Sequence, residues 1–227
     1  MVNVLGFDTA GNGCSAAVLR DGRIAARRFA AMARGQAEQL LPMIEAVLDE
    51  AATPLAALDL IAVTVGPGAF TGLRIGIAAA RGLALASGVA AIGITSFSAV
   101  AAAVPAEARA GRTLVVALDS RRAEIYLQAF GADGGTRGDG ALVAPADLAR
   151  WVPAGPLLLA GDAAPRLAAA LASRQPALFA GPGIADAAEV ARLAADSWHP
   201  GLRPPPPRPL YLRAPDTTTP RAVAAGR

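Results

Sequence analysis

Lysine is absent from this sequence, so all 21 basic residues are arginine. Histidine and cysteine occur once each, as His199 and Cys14, and aromatic residues make up 4% of the chain. Each shortage excludes chemistry. Without lysine there is no phosphate-gripping residue of a Walker A loop and no Schiff-base chemistry. One histidine cannot form a two-histidine metal site, and one cysteine cannot form an intramolecular disulfide or a thiolate zinc cluster. A Ser-His-Asp arrangement could run only through His199. No metal site is expected, and no catalytic residue is assigned.

What is present is apolar. Of 227 residues 54% are hydrophobic and 17% charged, with a mean hydropathy of +0.42; 58 are alanine. Such a chain buries a substantial core as one large or two small domains. Asp8 interrupts the first apolar run and no charged segment precedes it, so no secretory signal is read; with a lone cysteine, a reducing cytoplasm is expected. Residues 82–106 carry no charge, long enough to span a bilayer. Their glycines and Pro105 break that reading into a strand at Val89–Ile94 and a small-residue helix from Ser96, so no membrane span is expected. The pI of 9.9 belongs to the end of the chain. Residues 201–227 hold five arginines against Asp216, whereas residues 1–200 are nearly neutral.

Hydrophobic periodicity orders the elements. Val2–Phe7, Cys14–Leu19 and Ile24–Phe29 read as three antiparallel strands, the last two joined at Asp21-Gly22, a two-residue hairpin signal. From Gln36 the spacing of Leu40, Leu41, Ile44, Val47 and Leu48 predicts a helix containing Pro42. Leu60–Val65 reads as a buried strand ended by Gly66-Pro67-Gly68. Thr71 is read as the cap of a helix running to about Ala86, with Gly88 as its stop. The second half restarts the pattern: Leu114–Leu118, a turn after Asp119, Glu124–Phe130, a helix near Pro145–Trp151, a strand at Pro156–Ala160, and helices near 163–173 and 186–198. A repeated unit of three strands, helix, strand and helix predicts two lobes, 1–105 and 106–213, followed by a basic tail, 214–227.

Few motifs carry chemistry. Gly11-x-Gly13-x-x-Ala16 matches a dinucleotide fingerprint in letters, but Asp21-Gly22 arrives too soon for a helix, which makes these hairpin glycines. The segment Gly66 to Gly76 allows two readings. As a Gly-rich loop feeding a helix, with Gly66, Gly68, Thr71 and Arg74 and nearby Asp8, it could hold an anion or nucleotide. Alternatively Gly72, Gly76 and Ala80 form a small-residue ridge beside Ala79 and Leu83, against which another helix packs. That second reading predicts that Gly76→Leu abolishes complex formation while the monomer stays folded. Asp8 and Asp119, each closing a strand, could orient a ligand or cap a turn. Arg121 and Arg122 are read as solvated or as ligand contacts in a cleft. Cys14 reads as inert core and His199 as helix-end packing.

An ordered series of residues resembles one family. Phe7-Asp8-Thr9, Leu40-Leu41-Pro42, the run Gly66–Gly76 (GPGAFTGLRIG), Arg81-Gly82-Leu83-Ala84, Leu118-Asp119-Ser120-Arg121-Arg122 through Tyr126, and Leu210-Tyr211-Leu212-Arg213 are similar to TsaB proteins, accessory subunits of threonylcarbamoyladenosine synthesis. The likeness is close over about 1–130. It implies an α/β, two-lobed actin/Hsp70-like (ASKHA, RNase H-like) duplicated fold with mixed sheets flanked by helices. It also implies a non-catalytic scaffold that activates TsaD, the subunit whose His-x-x-x-His pair holds a metal and which uses threonylcarbamoyl-AMP to modify adenosine 37 of ANN-decoding tRNAs. A TsaE-type ATPase completes that complex, and tRNA is met through it. The implied partner face lies on the helices starting near Gln36 and Thr71: Gln36, Leu40, Leu41 and Ile44 on the first, Gly72, Leu73, Gly76, Ala79, Ala80 and Leu83 on the second. Many relatives have His where Gln36 stands. A homodimer through that face, ATP or ADP at a subunit junction, and tail contact with tRNA stay open. The alternative is an ASKHA-fold ATPase or peptidase-like enzyme acting alone.

Overall fold

A computed structural model of the chain describes residues 2–213; the expected basic tail, 214–227, lies outside the described residues. Two five-stranded mixed sheets organise the molecule. The first contains β1 (Val4–Asp8), β2 (Gly13–Arg20), β3 (Arg23–Ala31), β4 (Leu60–Gly66) and β5 (Ala90–Thr95) in the order β3-β2-β1-β4-β5. The second contains β6 (Thr113–Asp119), β7 (Ile125–Phe130), β8 (Ala141–Val143), β9 (Leu157–Ala160) and β10 (Ala177–Leu178), in the order β8-β7-β6-β9-β10. The two orders are the same. In each, a hairpin of antiparallel strands continues into parallel strands, β1 beside β4 and β6 beside β9. The expected two-lobed ASKHA architecture is therefore present, with the edge strands of the second sheet only three and two residues long.

Local sequence explains the elements. Asp21 (φ 55°) and Gly22 (φ 76°) occupy the left-handed region that a tight hairpin with right-twisted strands requires. Along β1, Leu5 and Phe7 point into one buried cluster while Val4 points into another, the period-two consequence of the pleat. Helix α1 (Gln36–Glu50) buries Leu40, Ile44 and Val47 and keeps Pro42 in its second turn. Helix α2 (Phe70–Ser87) begins at Ala69 with no side-chain cap; Thr71 sits inside the helix, exposed, which corrects its reading as the cap. Gly88 does end α2, at φ 74°.

The layers follow from which faces are apolar. Helices α1 and α2 cover one face of the first sheet. Its other face receives α7 (Ala187–Ser197), capped by Asp186 on the Ala188 N–H. Gly6 permits that approach, because a Cβ there would stand 2.6 Å from the Ala187 carbonyl oxygen. Helix α3 (Ser96–Ala102), capped by Thr95, lies between the sheets: Ala99 joins the first lobe's core, Phe97 and Val100 the second's. Short helices α5 (Leu148–Trp151) and α6 (Ala164–Ala170) close the outer face of the second sheet. The sequence gives no sign of the one-turn α4 (Ala106–Arg109), β8 and β10; two to four residues carry too little periodicity to read. Among the described residues no helix is long and apolar enough to cross a membrane, in line with the breaking of 82–106 into α2's end, β5 and α3.

Candidate functional site

The carboxyl ends of β1, β4 and β6 converge on a cleft between the lobes, the place where open α/β sheets hold ligands. It is lined by Ala10, Asn12, Gly68, Ser96, Asp119, Arg121 and Asp162, among others, and leaves a free volume of about 30 Å³. The cleft is largely filled by its own walls. Arg121, in the turn after β6 at φ 59°, donates to the Asn12 side-chain oxygen at 2.9 Å and so bridges the two hairpin turns. Asp119 accepts from the Arg121 backbone N–H at 2.9 Å, while its own N–H donates to Asp162 at 2.8 Å. Burial, with the nearby Asp119 charge in a smaller role, pushes the Asp162 carboxyl above its ordinary range. The Ser96 hydroxyl is buried there without a protein partner.

Asp8, Gly66 and Gly68, the residues of the anion-loop reading, are each engaged by the chain itself. Asp8 is 1% exposed and accepts from the Thr64 hydroxyl and the Ala10 N–H. Burial pushes its carboxyl up to about 6, against the opposing pull of those hydrogen bonds; it holds the turn together rather than lining the cleft. Gly68 packs on the β1–β2 turn, where a Cβ would come within 2.5 Å of the Ala10 carbonyl oxygen. The Ala69 N–H that would face an anion donates to that carbonyl at 2.8 Å. Gly66, at φ 109°, lies beside the carbonyl of Leu210. No cluster of three metal-ligating side chains exists among the described residues. Burial, then the Asp8 charge, push the Cys14 thiol up to about 11, so it is inert at neutral pH. The His199 ring Nδ1 lies 3.2 Å from the Pro200 carbonyl oxygen.

The residues of the ridge reading pack within the chain as well. Gly72, Gly76 and Ala80 face inward: a Cβ on Gly72 would lie 2.0 Å from the Thr9 carbonyl oxygen, and one on Gly76 2.7 Å from the Thr9 hydroxyl oxygen. These small residues let α2 settle on its own lobe. Leu40, Leu73, Ile44 and Gln36 are likewise buried, with the Gln36 amide turned back to the Met32 carbonyl at 3.4 Å. What reaches solvent is a different arc. Leu41 of α1 is 55% exposed and Leu85 of α2 89%; Arg74, Ala78, Arg81 and Gly82 are exposed between them, and Ile75, Ala79 and Leu83 are half-buried at the seam. Leu41, Leu48 and Leu83 line one groove there.

Three contacts escaped the sequence reading because each joins distant segments. Arg27 of β3 pairs with Asp186 at the start of α7. Arg121 meets Asn12. The Pro-rich segment after α7 runs back along α2, with the Pro207 carbonyl accepting twice from Arg81 and the Leu210 N–H donating to Val65 at 2.7 Å. It ends with Tyr211 stacked on Phe70 and Arg213 paired with Glu124 of the second lobe at 2.9 Å. The Leu210–Arg213 run was legible as a motif, but not what it touches.

Comparison with known proteins agrees with this architecture. The family model described as TsaD, tRNA N6-adenosine threonylcarbamoyltransferase, matches residues 30–199. An uncharacterised Mycobacterium tuberculosis protein is 36% identical over 217 residues, covering 94% of this chain and 92% of that protein. The Escherichia coli tRNA threonylcarbamoyladenosine biosynthesis protein TsaB is 36% identical over 125 residues, 55% of this chain and 53% of that protein. The structure of YeaZ from Pseudomonas aeruginosa superposes with a TM-score of 0.78 at 30% identity, over 93% of this chain and all of that one.

Proposed function

The chain belongs to the tRNA N6-adenosine threonylcarbamoyltransferase (TsaD) family, in its TsaB branch, and from that premise we propose that it is an accessory subunit which binds and activates a TsaD-type catalytic subunit. The product is N6-threonylcarbamoyladenosine at position 37 of ANN-decoding tRNAs, and a TsaE-type ATPase completes the assembly. The observation that carries this reading is the exposed arc of α1 and α2, in which apolar and small residues surround Arg74 and Arg81. Leucines as open as Leu41 and Leu85, set among Ala78, Gly82 and Leu83, leave a smooth helix-pair surface of the kind that marks a protein interface. Catalysis is assigned to the partner. The cleft in which an enzyme of this fold would work is bridged by Arg121 and Asn12, its Asp8 is buried in a turn, and the chain offers no pair of histidines. The same features disfavour an ATPase or peptidase acting alone.

Reconstitution tests the proposal. The TsaD-type and TsaE-type subunits of the same organism, tRNA and threonylcarbamoyl-AMP are combined with and without this chain, and the modified nucleoside is measured by mass spectrometry. Modification is expected to depend on the chain. Equal modification without it, or modification by the chain alone, would overturn the proposal.

A further inference from the structure

At the N-terminal end of α2, side chains from two distant segments stack on one another. The Arg74 guanidinium carbon lies 3.7 Å from the centre of the Phe70 ring. The Phe70 and Tyr211 rings stack at 5.6 Å with 28° between their planes, and Arg74 Nε donates to the Tyr211 hydroxyl at 3.3 Å. Phe70 is 52% exposed and Tyr211 45%. Exposed aromatic rings are costly in a chain with only ten aromatic residues, and apart from Phe29 the others are buried or half-buried. Tyr211 is held from both sides, by Leu210 on Val65 and by Arg213 on Glu124.

Arg74 has no carboxylate partner among the described residues. The first turn of α2 also lacks an acidic residue and a side-chain cap, so the helix end adds positive potential of the same sign. A guanidinium already oriented by two rings loses little freedom when it binds, and its planar fork matches a carboxylate. Arginine and tyrosine are the residues that dominate interface energetics when their surroundings exclude water.

We propose that the Phe70–Arg74–Tyr211 stack anchors the partner subunit: a carboxylate side chain of that subunit docks on the outward edge of the Arg74 guanidinium, and the two rings and the partner's surface shield the pair from water. This rests on the reading that the α1–α2 arc faces a TsaD-type subunit, with which the stack is continuous through Ile75 and Ala78. A protein carboxylate fits better than an RNA phosphate chain. Glu38, Glu45 and Asp49 stand exposed along the neighbouring α1 and repel a polyanion, whereas one carboxylate at the Arg74 end avoids them. The C-terminal segment thereby acquires a role in assembly, because it supplies Tyr211.

The test measures binding of the full chain to the TsaD-type subunit of the same organism by calorimetry at two salt concentrations. Arg74→Ala and Tyr211→Ala are each expected to raise Kd roughly tenfold or more, Arg74→Lys to recover part of that loss, and Arg150→Ala, a remote exposed arginine, to leave Kd unchanged. Arg74→Ala should also bind with a weaker salt dependence than the wild type. The partner reading itself fails when the wild-type chain does not bind. The anchor alone fails when the wild type binds but Arg74→Ala and Tyr211→Ala stay within twofold of it. It fails equally when those variants weaken only tRNA binding by the isolated chain, or only its self-association by light scattering. Arg74 is exposed, and a melting temperature of Arg74→Ala equal to that of the wild type is the control that separates lost binding from a damaged fold.

Discussion

Replacing Gly72 by alanine is expected to destabilise the monomer, whatever partner is present. The added Cβ would stand 2.0 Å from the Thr9 carbonyl oxygen and 3.1 Å from its carbon. Ordinary contact begins at 3.4 Å, and the obstacle is backbone, which cannot rotate aside. Helix α2 would have to lift by more than an ångström. That lift also strains the buried bond from the Thr9 hydroxyl to the Gly72 carbonyl, 2.7 Å long. Overpacking of this kind costs about 1–3 kcal/mol and a buried hydrogen bond about 1 kcal/mol, so a loss of roughly 2–4 kcal/mol is expected. For a chain of this size each kcal/mol moves the melting temperature by about 2–4 °C, which gives a fall of roughly 4–16 °C. Thermal unfolding of the purified chain, followed by calorimetry, measures it. Gly82→Ala is the internal control. A Cβ there meets nothing within 4 Å, so the better helix former is expected to stabilise by about 0.5–1 kcal/mol. A Gly72→Ala melt within 1 °C of wild type, or an equal loss in Gly82→Ala, would refute the assignment of inner and outer faces. Gly76→Leu follows Gly72, since its Cβ would lie 2.7 Å from the Thr9 hydroxyl oxygen; any lost partner binding in that variant reports a damaged fold.

Two further outcomes concern titrating groups. The Asp8 carboxyl titrates at about 6 instead of 3.8, so the folded state holds a proton that the unfolded chain releases between about pH 4 and 6. In that window the group's contribution to stability falls as pH rises, by on the order of 3 kcal/mol in all. Urea unfolding of wild type and Asp8→Asn from pH 4 to 7.5 should show that slope only in the wild type; parallel curves would dismiss it. Asp186 behaves oppositely. Burial pushes its carboxyl up, but the Arg27 guanidinium and the Ala188 N–H outweigh that and hold it below the ordinary value. Arg27→Ala is expected to cost about 1 kcal/mol at neutral pH, after allowance for the half-exposed arginine. The cost should vanish as pH falls below the carboxylate range, since the stabilisation exists only while Asp186 is ionised; a loss unchanged at pH 3 would point to packing instead.

Much of the fold was legible because its signals are local. Asp21-Gly22 sets a hairpin wherever it falls between apolar strands, Gly88 ends a helix by taking a positive φ, and the repeated strand-and-helix order announces two lobes. For the candidate site, the sequence shows which residues close the strands but not what they touch. Asp8 and Gly68 do stand at strand ends beside the cleft, yet Thr64, 56 residues from Asp8, and the Ala10 carbonyl had already engaged them. The Phe70–Arg74–Tyr211 stack was invisible for the same reason, with 137 residues separating its arginine from its tyrosine.

The sequence by itself determined the duplicated α/β architecture, the family, and the poverty in catalytic groups, since each of these is a matter of composition, local periodicity or an ordered motif. Only the tertiary structure decided which side of α2 faces the core. Helical spacing puts Gly72, Gly76 and Ala80 on one stripe and Arg74, Ala78 and Leu85 on another, and either stripe could have served as the outer surface. The choice was made by the Thr9 turn, whose carbonyl and hydroxyl approach α2 so closely at Gly72 and Gly76 that only residues without a side chain can lie against them.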